Sequence, residues 1–137
     1  MAITDNLVKV HRELLDLAKE MSASLVPAKV ATDAETIRKQ LSAFAGKLSV
    51  HLAMEDKSFY PRLLASTDSK VVATAKRFLD EVGGLGKAFS DYNGKWLTAK
   101  AIQADANGFI AESKKIFAAL GDRIAKEEKE LYPLDKG

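Results

Sequence analysis

The chain of 137 residues is 47% hydrophobic, enough for one sizeable core, and its length favours a single domain spanning residues 1–137. Its 21 basic and 19 acidic residues leave a net charge of +2 without a concentrated basic patch, which argues against a nucleic-acid partner. The sequence has no cysteine, no apolar run approaching the ~18 residues of a membrane span and no basic leader into an apolar stretch, so we expect a cytoplasmic protein.

The first predicted helix begins at Asp5 or Asn6, both good N-cap residues, and ends before Pro27. Its apolar residues recur at steps of three and four, which is typical of one buried helix face. His11 lies at the edge of this face or within it. By itself, such a histidine is interpreted as partly buried and bonded to a carbonyl group. The apolar positions are Leu7, Val10, Leu14, Leu17, Met21 and Leu25.

The second predicted helix is capped by Thr32 or Asp33, and its buried stripe continues onto His51, Glu55 and Phe59. A histidine and a glutamate four residues apart on a helix lie on the same face and can reach one metal ion. Taken alone the spacing is a weak signal, because most such pairs form an ordinary surface hydrogen bond. The apolar positions before the pair are Ile37, Leu41, Phe44 and Leu48.

The third predicted helix follows a turn at residues 66–69 and is interrupted by three glycines within residues 83–86. Each interior glycine costs about 1 kcal/mol relative to alanine, so this segment is expected to be weak, kinked or closely packed. The fourth helix begins within residues 103–107 and stops at Pro133. No segment alternates with period two, so the chain is predicted to be an all-α, antiparallel up-down-up-down four-helix bundle.

Residues 51–61 have a fainter copy at residues 123–133, where Glu127 corresponds to Glu55 and Arg123 stands in place of His51. Both copies end in Tyr-Pro. The tyrosines, about one turn beyond the glutamates, are candidate donors to these carboxylates. Anchoring of the helix ends beside the prolines explains them without that role and is the favoured interpretation. The tyrosines are Tyr60 and Tyr132.

In such a bundle the second and fourth helices run parallel, so the two motifs stand at one height, near the start of the first helix. Unpartnered buried carboxylates cost several kcal/mol, so a cation must lie between Glu55 and Glu127. One candidate is a metal ion held by His11, His51, Glu55 and Glu127. The other is the guanidinium of Arg123, whose planar set of N–H donors pairs well with carboxylates. The two candidates are not exclusive.

These motifs resemble the hemerythrin-like (HHE cation-binding) domains over nearly the whole chain. The resemblance is carried by the early histidine, the HxxxE motif with its aromatic-proline ending, and the xxxEE motif ending in Tyr-Pro. It implies a four-helix bundle holding two irons between its helices. The implied ligands are His11, His51, Glu55 and Glu127, with both carboxylates bridging the two metals.

The chain departs from the family pattern at one of the two metal positions. The family has a histidine at the position of Arg123 and one or two more in the third helix, yet no histidine follows His51. The two motif copies lie 72 residues apart. The same offset from His11 reaches Gly83, in the glycine cluster, one turn before Lys87. One metal position is therefore expected to be retained, and the other to be replaced by the charges of Arg123 and Lys87.

Two functional hypotheses follow from this pattern. In the first, the protein binds one ion of iron, or of manganese or zinc, with open positions for dioxygen or nitric oxide. In the second, the bundle holds no metal, Arg123 neutralises the carboxylates, and the function is regulation or interaction with a protein partner. A histidine phosphotransfer module requires an exposed histidine, unlike His51. An enzyme is not favoured, because no separate general acid or nucleophile constellation is present.

Overall fold

The computed structural model describes residues 3–135, with Val82 described by its backbone alone. Within this part of the chain there is no strand, so the fold is all-helical, as the sequence predicts. No described helix is both long enough and apolar enough to cross a membrane. The α-helices are α1 (Ile3–Ala23), α2 (Pro27–Met54), α3 (Tyr60–Leu64), α4 (Ser69–Val82), α5 (Leu85–Lys95), α6 (Ala99–Ala104) and α7 (Ala106–Lys126).

Two five-residue π-helices continue the helices that carry the repeated motif. The first, π1 (Glu55–Phe59), joins α2 to α3, and the second, π2 (Glu127–Leu131), extends α7 into a final 3-10 turn, Tyr132–Leu134. Each π-helix begins at the glutamate of its motif copy. The sequence pattern, which was read with the α-helical period, did not predict either of them.

The start of α2 differs from the prediction. The helix begins at Pro27, where the missing N–H of proline costs nothing because the first N–H groups of a helix have no intrahelical partner. Asp33, one of the predicted N-cap residues, instead has non-helical angles (φ −117°, ψ 24°) and marks a kink inside α2. The predicted start of α1 is also too late, since Asp5 lies in its first turn.

The caps of the later helices agree better with the sequence. The Asp68 carboxylate accepts a hydrogen bond from the Lys70 N–H and starts α4. Asp105, within the predicted interval, accepts from the Gly108 N–H and starts α7. The third predicted helix is broken at Gly83 and Gly84 into α4 and α5. Helix α6 was not predicted.

The two glycines at the break between α4 and α5 are expected to respond oppositely to alanine. A Cβ atom added at Gly83 would lie 2.3 Å from the backbone oxygen of Leu79, whereas a Cβ atom added at Gly84 would have no neighbouring atom within 4 Å. Gly84→Ala should raise the free energy of unfolding by about 0.4–1 kcal/mol by restricting the unfolded chain. Gly83→Ala should lower it, because α4 must distort. Urea denaturation tests this, and equal stabilisation by both variants would contradict the close contact.

A buried polar layer separates two apolar clusters of the core. Along α1, Leu7 belongs to the smaller cluster and Leu14 to the larger, with His11 between them. Along α2 and π1 the order is reversed, from Leu48 in the larger cluster to Phe59 in the smaller. The helices thus bring their polar residues to one level of the core. The polar layer consists of His11, His51, Glu55, Arg123 and Glu127.

Candidate metal centre

Four side chains of the polar layer face one another and form a potential metal site. One ligand atom from each lies within 4.8 Å of the corresponding atoms of the other three, and all four side chains are buried. Each comes from a different element: His11 from α1, His51 from the end of α2, Glu55 from π1 and Glu127 from π2. The structure therefore brings together the four residues for which the sequence predicts metal ligation.

His51 is the least satisfied member of this group. Neither of its ring nitrogens has a hydrogen-bond partner among the described residues, and the same holds for Glu55 Oε1. His51 Nε2 lies 3.1 Å from that oxygen without forming a hydrogen bond to it. Burial, reinforced by the neighbouring His11, lowers the pKa of His51 to about 4, so its imidazole is neutral at pH 7. A neutral imidazole beside an unsatisfied carboxylate oxygen is a fitting environment for a metal ion.

His11 is held on both sides of its ring. Its Nδ1 lies 2.8 Å from Glu128 Oε2, and the other oxygen of Glu128 accepts from Arg12 at 2.8 Å. A carboxylate at Nδ1 favours the tautomer that donates there and leaves the Nε2 lone pair directed into the cluster. Sequence reasoning did not single out Glu128. Its position next to Glu127 in the motif was the available signal, but the helical period placed it beside the buried stripe.

Arg123 contacts both carboxylates of the cluster. Its Nε donates to Glu127 Oε2 at 3.2 Å, and its Nη2 lies 3.5 Å from Glu55 Oε1. Burial by itself lowers the pKa of Arg123, but the charges of Glu127 and Glu55 outweigh burial and raise it. The guanidinium is therefore charged, and it lies close enough to both carboxylates to offset their negative charge.

The two carboxylates differ in their protonation. Burial raises the pKa of Glu55, and the neighbouring Glu127 raises it further. For Glu127, burial also favours the protonated form, but the polar contacts with His11 and Glu55 and the charge of Arg123 outweigh burial and lower the pKa. The opposite directions favour a single negative charge on the pair, beside the positive charge of Arg123.

Lys87 does not belong to the cluster. Its side chain is 85% exposed, and its ammonium pairs with Asp91 one turn further along α5 at 2.9 Å. The prediction that Lys87 supplies charge at the second metal position is therefore wrong. The buried face of α5 carries Leu85, Phe89 and Tyr92, and Lys87 lies on the opposite, solvent-facing side.

The hydroxyl groups of both motif tyrosines reach into the cluster. Tyr132 donates to Glu55 Oε2 at 2.9 Å, and Tyr60 donates to Glu127 Oε2 at 3.1 Å. Burial raises the pKa of both phenols, so both remain protonated donors. The favoured interpretation, that these residues only anchor the helix ends, is therefore corrected.

The π-helices explain why the tyrosines reach the carboxylates. Five residues along an α-helix correspond to a rotation that leaves the side chains about 140° apart. A π-turn instead closes its hydrogen bond five residues back. The N–H of Tyr60 bonds the carbonyl of Glu55, and that of Tyr132 bonds the carbonyl of Glu127. The wider turn therefore brings each tyrosine round toward the side of the helix that carries its glutamate.

A groove of about 570 Å³ between α5 and α7 borders the polar layer. Its lining includes apolar side chains such as Leu85 and Ile116 and charged ones such as Lys95 and Glu112. Arg123 lines the groove and also contacts both carboxylates. A molecule in this groove would thus meet the same guanidinium that compensates the buried cluster.

A helical bundle enclosing two imidazoles and two carboxylates defines the class of cation-binding helical proteins. Within this class, the family model of the hemerythrin HHE cation binding domain matches residues 2–134. The chain therefore belongs to the hemerythrin HHE cation-binding domain family, as its motifs predict. No curated protein and no solved structure matches the chain.

Proposed function

We propose that this protein binds one metal ion, iron, through His11, His51, Glu55 and Glu127. The proposal is carried by the buried imidazole of His51, whose two nitrogens have no hydrogen-bond partner among the described residues. Its Nε2 lies 3.1 Å from Glu55 Oε1, which accepts no hydrogen bond from the described residues either. Two nitrogen and two carboxylate donors suit iron, and also manganese or zinc. Bound iron would supply open coordination positions for a small ligand such as dioxygen or nitric oxide.

The stoichiometry of one ion rests on Arg123, which occupies the position of a family histidine. A guanidinium is permanently protonated and offers no lone pair to a metal. Its positive charge beside both carboxylates also disfavours a second cation there. No histidine follows His51 in the sequence to supply the missing nitrogen ligands.

The surrounding residues hold the proposed ligands in place. Glu128 orients the ring of His11 through Nδ1. Arg123 and Tyr60 both donate to Oε2 of Glu127, which fixes the rotation of that carboxylate. Such outer contacts typically change metal affinity by about 10- to 100-fold.

A second candidate function is a metal-free bundle that acts in regulation or protein interaction. It is favoured by the charge balance between Arg123 and the ionised Glu127, which already satisfies most of the polar layer without an ion. The donors Tyr60 and Tyr132 add to this satisfaction. Only the unsatisfied atoms of His51 and Glu55 Oε1 distinguish the two candidates.

We also infer the up-down-up-down arrangement from the order of the apolar clusters along the chain. Along α1 the chain passes from the smaller apolar cluster to the larger one. It does so again from Val71 on α4, in the smaller cluster, to Phe89 on α5, in the larger. Along α2 and π1 the chain passes from the larger cluster to the smaller one. It does so again from Leu120 on α7, in the larger cluster, to Leu131 on π2, in the smaller. Alternation of this order supports helices that alternate in direction within one domain.

The metal content of the purified chain tests the proposed function. Protein prepared without chelator or histidine tag is expected to contain about one metal ion per chain by elemental mass spectrometry, and His51→Ala to contain none. Lys87→Ala, on the exposed face of α5, is the control and should keep the ion. A value near two would contradict the single site. No metal after anaerobic reconstitution with ferrous iron would leave the charge-compensated bundle as the better description.

A further inference from the structure

We propose that Tyr132 is itself a ligand of the metal ion, through its phenol oxygen, and that this oxygen makes the site selective for ferric iron. The inference rests on the proposed function, because it adds a fifth ligand to the same site. No sequence pattern assigns this role, since the motif of histidines and glutamates accounts for the other four ligands.

The Tyr132 hydroxyl lies among three of the four proposed ligands. Its oxygen lies 3.0 Å from His11 Nε2, 2.9 Å from Glu55 Oε2 and 3.4 Å from Glu127 Oε1. Two ligands at right angles around one ion, with bonds of about 2.1 Å, are about 3 Å apart. The Tyr132 oxygen therefore has, to three of the four proposed ligands, the spacing that ligands of one ion have to each other.

The side chain of Tyr132 is held by packing on two sides of its ring. Its side chain is buried, its ring stacks on that of His11 with centroids 5.4 Å apart, and the ring of Phe59 packs against it edge-on at 5.2 Å. Close packing of this kind holds the hydroxyl in place before an ion arrives. The hydrogen bonds to the cluster thus hold the phenol oxygen and its neighbours in a preformed set of donors.

Tyr60, the equivalent residue in the first motif copy, lies differently. Its hydroxyl donates to Oε2 of Glu127, the same oxygen that accepts from Arg123 Nε at 3.2 Å. Tyr132 lies near the other oxygen of that carboxylate, Oε1. Tyr60 is therefore on the guanidinium side of Glu127 and Tyr132 on the other side, next to His11, which makes Tyr60 a matched control.

The chemistry of coordination is a ligand exchange without oxidation or reduction. The phenol O–H bond of Tyr132 breaks, the oxygen keeps the electron pair and forms a bond to the ion, and the proton leaves to solvent. The positive charge of a bound cation makes this deprotonation favourable in a buried site. Any proton held by the pair of Glu55 and Glu127 leaves to solvent as well, so that both carboxylates bind as anions. A phenolate oxygen attracts Fe³⁺ more strongly than divalent manganese or zinc, because the attraction grows with the charge of the ion.

The test is the visible spectrum of the iron-loaded protein. Wild-type chain loaded with ferrous iron and oxidised in air is expected to hold about one iron and to show a phenolate-to-iron charge-transfer band, with tyrosine ring modes enhanced in resonance Raman spectra. Tyr132→Phe should lose the band completely, and Tyr60→Phe should keep it. The third tyrosine of the chain, Tyr92, is bonded to Ser113 at 2.5 Å.

Because the chain has three tyrosines, the assignment does not depend on Tyr132→Phe folding. A band that survives in both Tyr60→Phe and Tyr92→Phe belongs to Tyr132. Iron bound by the wild type without such a band would overturn the ligand assignment and leave the proposed function intact. A band lost in Tyr60→Phe but kept in Tyr132→Phe would overturn it as well. If the wild type binds no iron, both proposals fail, and the metal analysis shows this separately.

Discussion

Replacing Arg123 with alanine in the metal-free protein is expected to lower the free energy of unfolding by about 3–5 kcal/mol. The side chain is 4% exposed and lies against Glu127 and Glu55. Its removal leaves Glu127 either ionised without a cation or forced to take up a proton in a buried site, and both alternatives cost free energy. Urea denaturation after treatment with a chelator measures the change.

Three further variants separate charge compensation from simple loss of packing. Arg123→Lys keeps the charge but not the planar fork, so its loss should be smaller than that of the alanine variant. In a Glu127→Gln background the effect of Arg123→Ala should shrink, because a neutral amide requires no cation. Lys87→Ala should leave stability unchanged. A loss below about 1 kcal/mol for Arg123→Ala would contradict the compensating role.

Replacing His51 with leucine is expected to act in the opposite direction on stability. The imidazole buries two nitrogens that have no hydrogen-bond partner among the described residues, and each unsatisfied group costs about 1–3 kcal/mol. Leucine has a similar size and no polar atom, so the metal-free variant should be more stable than wild type by about 1–3 kcal/mol. Metal binding should be lost. Denaturation and elemental analysis of the same preparation measure both effects.

His11→Leu is the matched control for this variant. His11 also lies in the polar layer, but its two nitrogens lie within hydrogen-bond distance of Glu128 and Tyr132. Its replacement should therefore destabilise the metal-free protein while also removing a ligand. A gain in stability at a binding residue is the usual mark of a group retained for function. If His51→Leu destabilises the metal-free chain as much as His11→Leu does, the description of His51 as unsatisfied is wrong.

The two motif copies differ in the group that each places four residues before its glutamate. His51 and Arg123 occupy equivalent positions, each four residues before its glutamate. The imidazole is neutral and unsatisfied, whereas the guanidinium is charged and contacts both carboxylates. The exchange of histidine for arginine at residue 123 thus replaces a group that could bind an ion with a positive charge that disfavours one.

The sequence by itself determined the helical class, the family and the four residues of the candidate site. These conclusions depend on local regularities, because the period of apolar residues and the four-residue spacing of His51 and Glu55 follow from the geometry of a single α-helix. The internal repeat added Glu127 and marked Arg123 as the exception. The buried positions of His51 and Glu55 followed from the same stripe, whereas the stripe of the first helix left His11 at its edge or within it.

Only the tertiary structure decided which partners these residues have. The bond between His11 and Glu128 joins residues 117 positions apart, and no local pattern indicates it. The π-turns moved Tyr60 and Tyr132 into the cluster, because they depart from the α-helical period on which sequence patterns depend. Lys87 was misplaced because the 72-residue offset relates the two motif copies and need not relate the first helix to the third. The side chain of Lys87 lies in solvent, on the face of α5 opposite Leu85 and Phe89. Local spacing specifies which residues share a helix face, but contacts between distant helices decide what that face meets.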